Sequence, residues 1–325
     1  SRRWAQNLYD GPRTRHLRSC HERRHTMTTS DTPRVRPTTL SSGDLVAFVA
    51  PSRPVAPESL ATATQLLASW GLRATTRWLV PGARGYLAGH DDDARAAAIE
   101  GALCDPEVRA LWCARGGYGA GRLLTRINWA RIRATGRAVA VLGFSDVTAL
   151  HLGIARELGW VTLHGPVAAL VDADGPSVTT LGVRQALVSD KPPGRLVVPR
   201  GVDGWEPVAQ VIRPGTASGP LTGGNLALVA SLIGTPWAMQ ASGHVVMLED
   251  VSEAPYRIDR MLVQLRQARA FDGCLGIVFG SSRPANAHQT TGLHSNSQRY
   301  LPSCSVTLGY RSRTVGRPAT RRTNG

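Results

Sequence analysis

The chain has 325 residues, of which 42% are hydrophobic, so it is long enough for two domains with apolar cores. No apolar run approaches the length that crosses a bilayer, which argues against a membrane-spanning segment. The formal net charge is +15, but residues 1–26 carry +5 and residues 281–325 carry +7, so the +3 left for residues 27–280 argues against a basic face for nucleic acid.

Residues 1–42 are predicted to form a disordered leader, since they are rich in Arg, Ser, Pro and Thr and show no apolar periodicity. Residues 1–26 lack the compact apolar segment of a secretory signal, which makes Met27 a candidate for the natural start. The five cysteines are widely spaced and form no C-x-x-C pair. That usage favours reduced thiols in a cytoplasmic protein over a disulfide framework or a zinc site.

From Gly43 the pattern becomes that of an α/β domain, predicted over residues 43–166. "DLVAFVAPS" predicts a buried strand, "APESLATATQLLASWGL" an amphipathic helix closed by Gly71, and "RATTRWLV" another strand. "GHDDDARAAAIEGALCDP" places three acids before a helix, where capping is commoner than metal binding. "VRALWCARGGYGAGRLL" follows as strand, glycine turn and helix.

The next two segments, "AVAVLGFSDVTALHLGIAREL" and "GWVTLHGPV", continue the alternation of strands and helices. Such alternation predicts a mostly parallel sheet, whose ligand site lies beyond the carboxyl ends of the strands. Gly117 and Ser145 would both lie at that edge of the sheet.

A linker region rich in Asp, Pro and Gly is predicted over residues 167–211. A second, smaller and β-rich domain is predicted over residues 212–280, with strands in "GHVVMLED" and "GCLGIVFG". Between these strands, "APYRIDRMLVQLRQAR" has the apolar spacing of an amphipathic helix. Strand and helix signals fade after Ser281, so residues 281–325 are predicted to be an irregular basic tail.

Ser145 lies in "VLGFSDVTALH", where an apolar run enters a Gly-x-Ser-Asp turn before a helix. Ser and Asp commonly cap helices at such junctions, because their oxygens accept from the free N–H groups of the first turn. A nucleophilic serine uses the same strand-to-helix turn to raise its hydroxyl above the sheet. Both interpretations fit this stretch.

The glycine turn "ARGGYGAGR" has three interpretations. It lacks a Walker lysine and the Rossmann spacing, so a phosphate loop is weakly supported. It could form a tight strand-to-helix turn. It could also bring a main-chain N–H close to a substrate oxygen, so that Gly117 and the amide of Asp146 form an oxyanion hole.

Glu249 ends the predicted strand "HVVMLE" and is either a loop acid that caps the next helix or the orienting acid of a Ser-His-Glu triad. His151, on the helix after Ser145, and His164, at a strand end, are interpreted as packing or turn residues. Neither has an acid at a suggestive spacing along the chain.

Taken together, "VAPS", "DPEVRALWCARGGYGAGRLL", "GFSDVTALH", "LHGP", "LTGGNLALVASLIGTPW" and "LEDVSEAPYRIDRMLVQL" resemble, in this order, the LD-carboxypeptidase (muramoyltetrapeptide carboxypeptidase) family of serine peptidases. The resemblance covers Gly43 to Gly280. It implies an α/β domain carrying the nucleophile Ser145 and a smaller β-rich domain carrying Glu249, with Gly117 and the Asp146 amide as oxyanion donors. It also implies no metal and no cofactor.

The substrate implied by the resemblance is a murein tetrapeptide or related small peptide, whose terminal D-alanine is released in cytoplasmic cell-wall recycling. Arg115 and Arg257 are candidates for a cation that binds the free carboxylate. A homodimer is one expected assembly, and neither nucleic acid nor a membrane is expected as a partner. The alternatives are a hydrolase of the family's immunity branch, which cleaves a peptidyl-nucleotide antibiotic, a silent peptide-binding relative, and a nucleotide-binding protein that uses "RGGYGAG".

The third triad member is unknown, because the family's histidine belongs to a Gly-His element well beyond the "GIVFG" strand and no such pair occurs here. His288 and His294 come too soon after Gly280 to match it. "LGYRS" offers Tyr310 instead, which cannot act as the base at neutral pH. We therefore expect residues 281–325 to be an out-of-frame or mis-assembled reading of a GC-rich gene. If the segment is real, the chain lacks the family's histidine and its activity is impaired.

Overall fold

The computed structural model describes residues 34–171, 178–191, 211–251 and 253–280. In its first part, strands β1 to β7 are Leu45–Val49, Arg73–Thr75, Ala83–Arg84, Leu87–Ala88, Val108–Cys113, Ala140–Gly143 and Leu163–His164. Helices α1 to α5 are Ala61–Ser69, Asp92–Cys104, Trp129–Ala134, Thr148–Leu158 and Val178–Val188. The segments outside the described ranges include the predicted start at Met27 and the whole basic tail after Ser281.

Five of these strands form one parallel sheet in the order β2, β1, β5, β6, β7. Strand β1, "LVAFV", is buried along its whole length, as expected of a central strand covered on both faces. Leu45, Ala47 and Val49 enter one apolar layer and Val46 and Phe48 enter the other. The sheet is therefore the middle layer of an α/β fold.

The second part contains a smaller parallel sheet in the order β10, β9, β8, and its strands β8 to β10 are Leu221–Asn225, Val245–Glu249 and Gly276–Phe279. Helices α6 and α7 are Leu226–Ser231 and Pro255–Gln267. Helix α7 buries Ile258, Leu262 and Leu265, which confirms the apolar stripe predicted there. The large parallel sheet and the smaller second sheet confirm the predicted fold class, although helices separate the strands of the smaller sheet.

Helix α4 is shared by the two parts, because it packs against α6 and β8 as well as beneath the large sheet. The buried Thr148 Oγ1 accepts from the Asn225 N–H at 2.9 Å, and Glu157 Oε1 accepts from Trp237 Nε1 at 3.0 Å. One apolar layer continues from the large sheet into the second part. Both ends of α4 are therefore bonded to the second part.

Parts of the predicted leader and of the predicted linker pack against the rest of the described fold. Within the predicted leader, Val35 forms a parallel bridge with Trp160, and the N–H of the buried Leu40 donates to the carbonyl of Leu187 at 2.8 Å. Within the predicted linker, α5 buries Val183 and Leu187 against the sheet. The contacts of Val35 and Leu40 are isolated and give no periodicity, whereas α5 buries two side chains one helical turn apart. None of the described helices has the length and apolar character that crossing a membrane requires.

Candidate active site

The segments that the sequence singled out follow the carboxyl ends of neighbouring parallel strands. Gly117 follows β5, Ser145 follows β6, His164 ends β7 and Glu249 ends β9. Strand β8 contacts the turn at Ser145, and this contact brings β8 and its neighbour β9 to the same edge. Parallel topology therefore gathers Gly117, Ser145 and His164 at one edge of the large sheet, as predicted for Gly117 and Ser145.

Ser145 adopts a backbone conformation that is rare for a residue with a side chain. Its φ is +62°, in the left-handed region, and a short 3-10 turn of residues Ser145–Val147 leads directly into α4. A Cβ added to the neighbouring Gly116 would lie 3.3 Å from the Ser145 Cβ, and one added to Gly143 would lie 2.8 Å from Val147 Cγ1. The two glycines leave the space that this sharp turn needs. Such local strain costs of order 1–3 kcal/mol and concentrates at functional sites.

The Asp146 carboxylate does not cap α4, contrary to the capping interpretation of this turn. It is buried and accepts hydrogen bonds from the Ser52 hydroxyl and from the Ala120 N–H at 2.8 Å. Burial raises the pKa of Asp146, although both hydrogen bonds oppose the shift. The side chain ties the loop after β1 and the glycine turn to the Ser145 turn.

The amides of Gly117 and Asp146 donate to no acceptor among the described residues. Gly117 has a φ of +124°, which a residue with a side chain rarely adopts, and it lies in the glycine turn after β5. Asp146 is in the first turn before α4, where backbone N–H groups lack intrahelical partners. Both amides are thus available to an oxygen from outside the chain.

Glu249 has a side chain that is 15% exposed, and its Oε1 is buried without a hydrogen-bond partner among the described residues. Burial first, and then repulsion by the neighbouring Asp250, raises the pKa of Glu249, while a hydrogen bond with Asn225 opposes the shift. Asp250, rather than Glu249, accepts from the Ala227 N–H at the start of α6, at 3.1 Å. Asp250 therefore bonds the start of the preceding helix α6, no side chain of the described residues caps the next helix α7, and Glu249 keeps a free oxygen.

Two histidines lie close together beside this carboxylate. His164 Nε2 is 3.8 Å from Glu249 Oε1, and its ring is 6.4 Å from that of Phe144, the residue before Ser145. His151 is buried, its Nε2 contacts the Gly143 carbonyl at 2.9 Å, and burial lowers its pKa to about 4. His151 is thus the packing residue that the sequence predicted. The contact of His164 with Glu249 was missed, because the two residues are far apart in sequence.

The three acids at the start of α2 are engaged by the helix and by arginines. Asp91 is the N-cap and accepts from the Ala94 N–H at 2.7 Å, and Asp93 pairs with Arg126 on the surface. The buried Asp92 pairs with the fully buried Arg95 and with Arg122, at 2.7 Å from Arg122 Nη2. Arg95 also donates to the carbonyl of Pro51, in the loop after β1. The acids are therefore structural.

A cavity of about 390 Å³ opens beside Gly117, lined by Arg53, Tyr86, Gly117 and Tyr118. Neither Arg115 nor Arg257, the two arginines suggested for a carboxylate subsite, lines it. Arg115 is exposed beside Gly116, and Arg257 pairs at 3.4 Å with Glu253, which lies just before α7. Arg53 and Tyr86 were missed because neither belongs to a recognisable motif.

Comparison with known proteins places the chain in a family. A model of the LD-carboxypeptidase N-terminal domain matches residues 46–165, and a model of the C-terminal domain matches residues 218–307. The chain belongs to the LD-carboxypeptidase family of serine peptidases. The second match extends past Gly280, into the segment that the sequence analysis interprets as out of frame.

Curated relatives of this LD-carboxypeptidase family member carry carboxypeptidase names. A Streptomyces coelicolor protein whose name assigns it to the carboxypeptidases is 42% identical over 251 residues, covering 76% of this chain and 77% of its own. The murein tetrapeptide carboxypeptidase of Pseudomonas aeruginosa is 33% identical over 251 residues, with coverages of 75% and 79%. The solved microcin C7 self-immunity protein shares the fold, with a TM-score of 0.70 at 20% identity and coverages of 82% and 86%.

Proposed function

We propose that the chain is a serine LD-carboxypeptidase that releases the terminal D-alanine from a murein tetrapeptide. The observation that carries this proposal is the strained turn at Ser145, flanked by two amides that donate to no acceptor in the described part of the chain. The name of the Pseudomonas relative supports the peptide substrate. We further propose that the reaction belongs to cytoplasmic cell-wall recycling.

In the proposed reaction, Ser145 Oγ attacks the carbonyl carbon of the bond to D-alanine. The oxygen of that carbonyl takes up negative charge and accepts from the Gly117 and Asp146 amides, which were already free before the substrate bound. An imidazole takes the serine proton and returns it to the amine of the departing D-alanine. Water then hydrolyses the acyl-enzyme, and Ser145 regains its proton.

Glu249 is the proposed orienting acid for that imidazole. Its free Oε1 offers an acceptor to a ring N–H, and its ionised form stabilises an imidazolium. Among the described residues, His164 supplies an imidazole to this oxygen, at 3.8 Å. The segment after Gly280, where the family's histidine belongs, lies outside the described residues.

The test is incubation of the purified chain with murein tetrapeptide, followed by measurement of free D-alanine. We expect Ser145→Ala to lower the rate by at least about 1,000-fold, because the nucleophile is removed. Ser231→Ala, which removes an exposed hydroxyl on α6, is the matched control and should keep the wild-type rate.

Three results would contradict the proposal, and each has a different meaning. Tight binding of the tetrapeptide without turnover indicates a silent binding relative. Preferential cleavage of an aminoacyl-nucleotide indicates the immunity branch, whose fold this chain shares. Release of D-alanine at an undiminished rate by Ser145→Ala indicates a different nucleophile.

A further inference from the structure

The cavity beside Gly117 is built from three separate segments of the chain. Arg53 comes from the loop after β1, Tyr86 from the turn between β3 and β4, and Tyr118 from the glycine turn after β5. Gly117, a proposed oxyanion donor, forms part of the cavity wall. Whatever occupies this cavity therefore lies next to the carbonyl that Ser145 would attack.

Arg53 presents a positive charge to the cavity. Its stem lies across Gly117, since a Cβ added there would be 2.5 Å from Arg53 Cγ and 3.1 Å from its Nε. The preceding Ser52 is fixed by its hydrogen bond to the buried Asp146. Arg53 has neither an ion pair nor a hydrogen bond with any other described residue. The guanidinium is thus placed by its stem and is free to bind an anion.

The two tyrosines form the other walls. Their rings meet edge to face, with centroids 5.6 Å apart, and they are 58% and 50% exposed. Tyr118 interacts with Arg122, whose guanidinium is held by the buried Asp92. The aromatic wall is therefore anchored to the start of α2, and none of the described residues that line the cavity is a carboxylate that would repel an anion.

We infer that Arg53 binds the terminal carboxylate of the leaving D-alanine, while Tyr86 and Tyr118 enclose its methyl group. The inference rests on the proposed function. Three covalent bonds separate the attacked carbonyl carbon from that carboxylate carbon, a span of about 4 Å. A cation beside an oxyanion donor therefore meets the carboxylate, and Arg matches its geometry through two parallel hydrogen bonds. This contact makes the enzyme a carboxypeptidase rather than an endopeptidase.

The experiment compares kcat/KM for murein tetrapeptide with kcat/KM for the same peptide ending in D-alaninamide. Hydrogen bonds to charged groups contribute about 1.5–3 kcal/mol, so we expect the wild type to prefer the free acid by roughly 10- to 100-fold. Arg53→Gln should lose most of this preference, with the acid falling and the amide unchanged. The matched control is Arg84→Gln, which removes a charge from the same hairpin as Tyr86 but outside the cavity.

Two outcomes would overturn the inference. An equal fall for acid and amide in Arg53→Gln would show that Arg53 only supports the loop. A second carboxylate is present when the third residue is diaminopimelate, so the assay is repeated with lysine at that position. Loss of the Arg53 effect in the lysine peptide would assign Arg53 to the side-chain carboxylate instead.

A failure of the proposed function is separated from a failure of this inference by a binding measurement. Ser145→Ala and Ser145→Ala/Arg53→Gln are titrated with the acid and amide peptides by calorimetry. Selective binding of the acid that depends on Arg53 supports the subsite even where no D-alanine is released. Equal binding of both peptides by Ser145→Ala overturns it.

Discussion

His151 shows how burial fixes the protonation state of a single residue beside the candidate active site. The ring is enclosed beneath the Ser145 turn, its Nε2 contacts the Gly143 carbonyl, and its Nδ1 is buried without a partner among the described residues. Burial lowers its pKa to about 4. His151 is therefore neutral at physiological pH, and its ring packs beneath the turn.

This shift predicts a stability that falls with acidity. The unfolded chain binds a proton at His151 near pH 6.5, whereas the folded protein does so only near pH 4. The contribution of the neutral ring is fully present above about pH 6.5 and is lost as the pH falls towards 4, by roughly 2–4 kcal/mol in the free energy of unfolding. Urea unfolding of the wild type and of His151→Gln between pH 4 and 8 measures it.

The difference in stability between the two proteins isolates His151. Both proteins contain buried acids such as Asp146 and Glu249, whose raised pKa values oppose the loss of stability at low pH, and this contribution cancels in the comparison. Glutamine can still donate to the Gly143 carbonyl but does not titrate. We expect the wild type to lose its advantage over His151→Gln as the pH falls. Parallel stability curves for the two proteins would show that His151 is not buried neutral.

At the level of elements, the start of α2 is fixed to its surroundings by ion pairs. Arg95 lies within the core and joins Asp92 to the Pro51 carbonyl, so one side chain connects α2 to the loop that carries Ser52 and Arg53. A Cβ added to Gly119 would lie 2.5 Å from Arg95 Nη1. The glycine turn therefore needs Gly119 in order to close over this guanidinium.

Removal of Arg95 is expected to be costly. Arg95→Met leaves Asp92 with Arg122 as its remaining strong partner and leaves the Pro51 carbonyl without its donor. Breaking a buried pair destabilises by about 3–5 kcal/mol, and the retained Arg122 should reduce this to about 2–3 kcal/mol. The measurement is the free energy of unfolding in urea.

Arg126→Met is the matched control, because Arg126 pairs mainly with the exposed Asp93. Exposed pairs contribute about 0–1 kcal/mol, so this variant should remain close to the wild type. Equal losses in the two variants would mean that burial of the Arg95 pair contributes nothing extra.

The elements differ in how well the sequence predicted them. The fully apolar β1 and the motif-bearing strands β5 and β6 were predicted, because a buried parallel strand is a continuous apolar run. Strand β2 ends at Thr75, well short of the predicted "RATTRWLV", because the chain turns where the Leu79 N–H donates to Thr76. The residues near the cavity that were missed, Arg53 and Tyr86, are in loops, where no periodicity marks a function.

At the scale of the whole molecule, the described residues from Arg34 onwards form one compact unit with a core that runs through both sheets. Helix α4 makes this connection through Thr148, whose hydroxyl accepts from the Asn225 N–H in a buried position. A Cβ added to the adjacent Gly224 would lie 2.7 Å from Thr148 Oγ1. Helix α4 and strand β8 therefore lie too close together to separate without breaking the core.

This packing predicts a single unfolding transition. Thr148→Val keeps the shape of the side chain but leaves the Asn225 N–H without its acceptor, at a cost of about 1–3 kcal/mol. We expect calorimetry to show one peak for both proteins, shifted to a lower Tm in the variant, with equal calorimetric and van't Hoff enthalpies. Resolution of two peaks in the wild type would contradict one cooperative unit.

The left-handed conformation at Ser145 has a consequence for chemical labelling. The backbone of residues 143–146, and not the hydroxyl, holds the side chain above the sheet, so a thiol from Ser145→Cys would occupy the same place. The three cysteines in the described part of the chain are buried or half-buried, and burial raises the pKa of Cys113 to about 12. Thiolates react, and buried thiols are inert. The turn therefore offers an attachment point for a covalent reporter next to Gly116, in the glycine turn that contributes to the cavity.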